Sequence, residues 1–272
     1  MRYNKQKEGI ALALLHVDFF SEALGFDTNM EVILPQQTRG QIGTKGAADQ
    51  PPYQTLYLLH GMSDDHTAWQ RRTSIERYVA PLSLAVVMPA VQFSWYTDMP
   101  SGSRYWAFIH EELPTVCREF FPLSERREDN FVAGLSMGGY GAMKIALADG
   151  EHFGAAASLS GALDMQRVIR DFHHPAYANA FGSAEAFAGS GNDLFALAER
   201  RKAQGSVIPQ LYLWCGTEDF LLQDNDRFAG HLQKLGYDVT YRQSPGDHQW
   251  KYWDEQIQRV LEWLPLRGKD DK

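Results

Sequence analysis

Short runs of consecutive apolar residues alternate along this chain with longer stretches whose apolar positions recur every three or four residues. Leu56-Tyr57-Leu58-Leu59, Leu84-Ala85-Val86-Val87-Met88, Phe131-Val132-Ala133, Ala155 to Leu159, Leu211-Tyr212-Leu213-Trp214 and Val239-Thr240-Tyr241 read as strands, most of them apolar on both faces. Between them, Trp69 to Val79 is compatible with a helix, and Trp106, Ile109, Leu113, Val116 and Phe120 line one helical face that Pro114 should kink. Tyr140 to Ala148 reads as a small-residue helix, and Phe228, Leu232 and Leu235 mark another. A last helix carries Trp250, Trp253, Ile257, Val260, Leu261 and Leu264 on one side. This alternation predicts an α/β fold with a mostly parallel sheet covered by helices on both faces.

Two regions break the rhythm. Leu12 to Ser21 and Met30 to Leu34 flank a turn at Leu24-Gly25, too short a connection for a crossover, so an antiparallel N-terminal strand pair is expected. Pro35 to Pro52 reads as a surface loop; its part from Gln36 to Ala48 has no assigned role. Between Gly161 and Pro209 there are prolines, glycines, paired histidines and short helical patterns but no strand. An insertion after a strand's C-terminal end overhangs the ligand-binding face of such a sheet. A cap over about residues 162–208 is therefore expected, a surface decoration being the competing reading. The whole reads as one domain over residues 1–267, followed by a charged, disordered tail at 268–272.

Composition narrows the partners. A chain of 272 residues suits one large α/β domain, and a formal net charge of −8 repels nucleic acid and anionic membranes. No apolar run approaches a membrane span. The basic start from Met1 to Lys7 precedes a short apolar stretch, Ile10 to Leu15, as in a secretory signal. Glu8, His16 and Asp18 interrupt that pattern and no small-residue cleavage site follows, so a first strand and a cytoplasmic protein are expected. Two distant cysteines, Cys117 and Cys215, cannot build a disulfide scaffold, and Cys117 falls on a helix's apolar face as a buried thiol.

Gly134-Leu135-Ser136-Met137-Gly138 is a G-x-S-x-G pattern placed between a predicted strand and a predicted helix. A strand turning this sharply into a helix leaves its serine strained and its hydroxyl exposed, and the residues on either side must be tiny. A serine hydroxyl needs a base, and the base an acid to orient it. His248, in the Pro245-Gly246-Asp247-His248 loop before the last helix, is where a returning base would sit. His152 lies too near the end of the elbow helix, and His231 lies mid-helix. His173 and His174 belong to the expected cap; a metal pair there lacks a carboxylate pattern, and no metal site is assigned. Asp64, Asp65 and His66 read as a solvated loop. For the acid, Asp219 in Cys215-Gly216-Thr217-Glu218-Asp219 is preferred, with Glu218 as its rival; Asp247 is expected to cap the last helix. An oxyanion hole would use the amides of Met137 and of Met62, the latter in the His60-Gly61-Met62 loop, with His60 as a buttress.

Several of these segments resemble the bacterial tributyrin esterases, in the esterase D-like branch of the α/β-hydrolases. They are Leu58 to Met62, Ser94-Trp95-Tyr96-Thr97-Asp98, Glu111 to Pro114, Gly134 to Ala142, Trp214 to Phe220 and Gly246 to Trp250. They keep the family's order along nearly the whole chain. The resemblance implies an α/β-hydrolase fold and a serine esterase acting on short-chain acyl esters. By that likeness Ser136, His248 and Asp219 form the triad and Met62 and Met137 donate to the oxyanion. It further implies no cofactor, a small acyl ester as partner and membership of a family that includes homo-oligomers. Trp95, Tyr96 and His60 are expected near the acyl pocket. S-formylglutathione hydrolases, feruloyl esterases and mycolyltransferases share the branch. The first of these usually carry histidines where this chain has Leu135 and Tyr140, which lowers the expectation of a glutathione thioester substrate. An acyltransferase, or a non-catalytic binding protein on the same fold, is the less favoured alternative.

Overall fold

The computed structural model describes residues 9–38 and 50–267, with side chains from Leu12 to Gln36 and from Gln50 onward. The N-terminal Met1 to Lys7 segment, nearly all of the 36–48 loop and the 268–272 tail lie outside the described residues. The strands are β1 (Gly9–Ser21), β2 (Phe26–Thr38), β3 (Gln54–Leu59), β4 (Leu84–Pro89), β5 (Asn130–Leu135), β6 (Ala155–Leu159), β7 (Gln210–Gly216) and β8 (Val239–Ser244). The helices are α1 (Ala68–Arg72), α2 (Ile75–Val79), α3 (Tyr105–Ala107), α4 (Leu113–Phe120), α5 (Met137–Ala148), α6 (Met165–Asp171), α7 (Pro175–Phe181), α8 (Ala184–Phe187), α9 (Leu194–Gln204), α10 (Leu222–Lys234) and α11 (Trp250–Trp263).

All eight strands share one sheet in the order β1-β2-β4-β3-β5-β6-β7-β8. β1 pairs antiparallel with β2, and β2 antiparallel with β4; every other pairing is parallel. The expected antiparallel start is therefore present, and its strands are longer than the apolar runs suggested. Gly25 closes the hairpin at φ +79°, its N–H donating to the Ser21 carbonyl at 2.8 Å. The Glu112 carboxylate accepts from the Glu22 amide at 2.7 Å and from the Ser21 hydroxyl, tying this turn to the helical layer.

Strand residues alternate between two cores because successive side chains leave opposite faces of a sheet. Tyr57, Leu59, Val132, Ala156, Leu211 and Leu213 join the core under α4, α5 and α10. Leu56, Leu58, Phe131, Ala133, Leu135 and Trp214 join the core under α1, α2 and α11. This two-sided burial is why those runs lack a polar face.

Three elements differ from the sequence expectation. The helix from Trp69 to Val79 is two short helices, because Thr73 turns its hydroxyl to the Trp69 carbonyl and accepts from the Ile75 amide at 3.1 Å. Pro114 follows a π-helical turn at Phe108–Glu112, where the wider winding accommodates a residue with no N–H to donate. Asp247 does not cap the last helix: α11 starts at Trp250 with Gln249 as its N-cap and no side-chain cap bond.

Between Gly161 and Pro209 the chain forms α6, α7, α8 and α9 and no strand. The first three pack on one another, while α9 packs on α5 and α10 as the crossover that delivers the chain to β7. No helix among the described residues is long and apolar enough to cross a membrane.

Helix α5 packs tightly against the end of β3. A Cβ built on Gly138 would lie 2.5 Å from the Leu59 carbonyl oxygen and 2.7 Å from that of His60. Backbone atoms cannot retreat as a side-chain tip can, so Gly138→Ala is expected to cost about 1–3 kcal/mol. That corresponds to a melting midpoint roughly 3–10 °C lower, and a thermal denaturation curve indistinguishable from wild type would refute it.

Candidate active site

Strand β5 runs straight into α5 with Ser136 as the single residue between them. Ser136 adopts φ +52° and ψ −116°, a conformation an L-residue holds only when its surroundings over-determine it. Here its N–H donates to the Leu159 carbonyl at 3.0 Å, and its own carbonyl accepts from Tyr140 at 3.0 Å and Ala162 at 3.2 Å. Gly134 and Gly138 pass so closely that a Cβ on Gly134 would lie 2.4 Å from the Gly138 carbonyl carbon. The motif's glycines are thus a packing requirement, and the side chain between them is turned outward.

The Ser136 Oγ lies 3.0 Å from Nε2 of His248, and the Nδ1 of that ring lies 2.9 Å from Oδ2 of Asp219. A carboxylate only accepts, so Nδ1 carries the proton and Nε2 is free to accept from the hydroxyl. Asp219 is 5% exposed, and its other oxygen takes the Leu221 amide at 2.9 Å. A hydroxyl, an imidazole and a buried carboxylate in series can pass the hydroxyl proton to the ring and hold the resulting imidazolium.

Glu218 points the other way. Its Oε2 accepts the Gly246 N–H at 2.5 Å, while its own N–H donates to the Gly246 carbonyl at 3.0 Å. It laces the loop after β7 to the loop carrying His248, and in doing so leaves the imidazole to its neighbour. The ring itself contacts two aromatics: Trp253, perpendicular to it at 4.8 Å and buried, and Phe220, at 4.7 Å and 55% exposed. Trp253 anchors to the Ser160 hydroxyl at 3.2 Å. No sequence signal beyond adjacency to the motifs marks either aromatic.

Three of the other histidines are engaged elsewhere. His152 binds Asp149 at 2.6 Å, His231 faces the Phe195 carbonyl at 3.3 Å, and His174 caps α7 by accepting the Ala176 amide at 3.1 Å. Asp65 accepts from the Thr67 amide and hydroxyl and from Arg71, organising the start of α1.

On the opposite flank of Ser136, a Cβ on Gly61 would lie 3.7 Å from the Ser136 Cβ, so the His60-Gly61-Met62 loop runs against the strand-to-helix turn. Met62 is partly buried against the core and Met137 fully buried. His60, 1% exposed, bridges this loop to the one after β4: its Nδ1–H donates to the Gly61 carbonyl at 2.8 Å and its Nε2 accepts from the Val91 amide at 3.2 Å. Tyr96 donates its hydroxyl to the His60 carbonyl at 2.8 Å, and Trp95 packs on Tyr140 and on Tyr177 and Phe181 of α7. Both residues are buried at positive φ, so they lie behind the loop as support. Behind them stands Lys144, which sequence reading overlooked because nothing local marks it. Its ammonium donates to the Tyr96 carbonyl at 2.9 Å and lies 4.4 Å over the Trp106 ring. Burial lowers its pKa to about 7.

A cavity of about 770 Å³ lies at the other end of the sheet, lined by Gln54, Asp129, Gly154 and Gln210 at or near strand N-termini and by Arg267 beyond α11. The buried thiols of Cys117 and Cys215 are inert by desolvation, which pushes the first up to about 12 and the second higher.

Burial also lowers the His60 pKa from 6.5 to about 4, and a proton on Nε2 would break the Val91 bond. The unfolded chain therefore binds a proton between those two values that the folded protein refuses. The stabilisation is complete above about pH 6.5 and is lost as pH falls toward 4. It amounts to on the order of 3 kcal/mol. Denaturant unfolding at pH 7 and pH 4.5 is expected to show a smaller acid loss for His60→Gln than for wild type; equal losses would exclude His60 as a source of the acid sensitivity.

Residues 21–264 match the Esterase family model, described as "Putative esterase". The chain is 32% identical over 263 residues to an acetyl esterase of Caldicellulosiruptor saccharolyticus, covering 93% of this chain and 98% of that protein. Among solved structures it is similar to the substrate-bound fluorophosphonate-binding serine hydrolase F of Staphylococcus aureus, at 36% identity and TM-score 0.84, covering 93% of this chain and 98% of the other. It is similarly close to an S-formylglutathione hydrolase of the same organism, in its apoenzyme form, at 36% identity and TM-score 0.82, over 93% and 99% of the two chains.

Proposed function

The chain belongs to the Esterase family and is a carboxylic ester hydrolase; within that family, we propose that it is a serine esterase for short-chain acyl esters with Ser136 as nucleophile. The observation that carries this reading is the hydrogen-bonded series Ser136–His248–Asp219, at 3.0 and 2.9 Å, on a strained strand-to-helix turn.

The proposed reaction has two steps. His248 Nε2 takes the Ser136 proton as the hydroxyl attacks the ester carbonyl, and the amides of Met62 and Met137 hold the oxyanion. The tetrahedral species collapses, its carbon–oxygen bond breaks, and His248 returns the proton to the departing alcohol. Water then repeats the sequence on the acyl-enzyme, releasing the acid and restoring the serine. Asp219 holds the imidazole in the tautomer that presents Nε2 to the hydroxyl. The N-terminus of α5 adds its amide dipoles to the stabilisation of the developing charge. Support for a small acyl group comes from the acetyl esterase relative and from the filled space behind the oxyanion loop, where His60, Trp95 and Tyr96 are buried. The same residues would hydrolyse a thioester, and the S-formylglutathione hydrolase among the similar structures makes that the second reading.

A panel of ethyl acetate, butyrate and octanoate together with S-formylglutathione tests the choice. Wild type is expected to favour acetate or butyrate, and Ser136→Ala to lose roughly 10⁴-fold or more of kcat. Equal turnover by both proteins would remove Ser136 as nucleophile, and a sharp preference for the thioester would promote the second reading. Asp219→Asn is expected to lose about 10⁴-fold in kcat by leaving the imidazole in the wrong tautomer. Glu218→Gln should lose far less, and a larger loss from it would transfer the acid's role to Glu218.

A further inference from the structure

Two exposed aromatic rings lie in series beside the imidazole. Phe220 is 4.7 Å from the His248 ring, and Phe172, at the end of α6, is 5.6 Å from Phe220. They are 55% and 37% exposed, among the few large apolar side chains the fold leaves in water. Trp253, the other ring on His248 at 4.8 Å, is only 4% exposed, so Phe220 is the imidazole's aromatic neighbour that solvent reaches.

The pair is held in place by buried charge. Arg167 of α6 forms a two-pronged ion pair with Asp224 of α10, which is 0% exposed. The same guanidinium sits 5.5 Å over the Phe172 ring and donates to the Phe220 carbonyl at 3.3 Å. Asp224 is also met by Arg227 at 3.2 Å, and Arg167 by Asp171 at 3.7 Å. The charges of this cluster thus compensate one another, and the surface it supports is aromatic.

We propose that Phe220 and Phe172 form the leaving-group subsite, a platform for esters whose alcohol carries an aromatic ring. The inference rests on the esterase reading of Ser136, His248 and Asp219. As the acyl carbon–oxygen bond breaks, the acyl group stays on Ser136 Oγ and the departing alkoxide takes the proton held on His248 Nε2. The alcohol therefore leaves along the imidazole, where Phe220 and not the buried Trp253 is the aromatic neighbour open to solvent. A ring one or two carbons beyond the alcohol oxygen would reach Phe220 and then Phe172, whose tilted planes, at 57°, offer both a face and an edge for stacking.

The test compares kcat/KM for 2-phenylethyl acetate and ethyl acetate, which share their reacting atoms and differ by a phenyl ring. Wild type is expected to favour the phenylethyl ester, and Phe172→Ala and Phe220→Leu to lower that preference by about three- to tenfold. Taking the ratio cancels any general damage to the triad from a change beside Asp219. An unchanged ratio in both variants, with wild type hydrolysing both esters, would overturn the platform and leave the esterase reading intact. Failure of wild type to hydrolyse either ester would instead remove the esterase reading, and the subsite with it. On the unaltered enzyme, 2-phenylethanol is expected to raise the KM for ethyl acetate at concentrations where 1-propanol does not; equal effects of the two alcohols would also overturn the platform.

Discussion

One backbone constraint organises this molecule: β5 must become α5 across the single residue Ser136, which has to sit at φ +52°. A non-glycine residue there costs of order 1–3 kcal/mol, and the conformation persists only because its neighbours leave no alternative. Gly134 and Gly138 interlock at distances that exclude any side chain, and Gly138 lies against the carbonyls that end β3. The parallel strands on either side then determine which loops surround the serine. Because β3, β5, β6 and β7 run in the same direction, their following segments all emerge at the edge where the elbow stands.

Each arm of the site is held from behind by buried groups with polar demands to meet. On the side of the His60-Gly61-Met62 loop, a neutral His60, the Tyr96 hydroxyl and the Lys144 ammonium connect backbone carbonyls in sequence, from that loop to α5. On the side of the imidazole, Trp253 and the Glu218–Gly246 lacing position the ring. Buried donors and acceptors left without partners are costly, so such chains favour one arrangement over near alternatives. A site built this way is pre-organised: little has to move when charge develops on a substrate oxygen.

The α6–α8 segment gains its place by the same means. Trp95 packs at steep ring angles on Tyr140 of α5 and on Tyr177 and Phe181 of α7, and Arg167 reaches the buried Asp224. Ring contacts and one desolvated ion pair do there what backbone pairing does within the sheet.

Much of this was legible without coordinates. Runs apolar on both faces mean strands buried on both faces, so periodicity alone led to the parallel sheet, and glycines flanking a serine at a strand–helix junction led to the elbow. Spacing also brought His248 and Asp219 into consideration, since both follow strands that end at one edge. It could not separate Asp219 from Glu218. Adjacent residues in a turn point in different directions, and which one faces the ring depends on the Gly246 loop 28 residues away. Nor could local pattern show that Thr73 splits a helix, that a π turn absorbs Pro114 or that Asp247 leaves α11 uncapped. Those outcomes depend on hydrogen-bond competition in three dimensions. The placement of Lys144, Trp253 and Phe220 around the site was not legible for a related reason. Their significance lies in what long-range packing sets beside them, whereas hydrophobic periodicity and glycine geometry are written into consecutive residues.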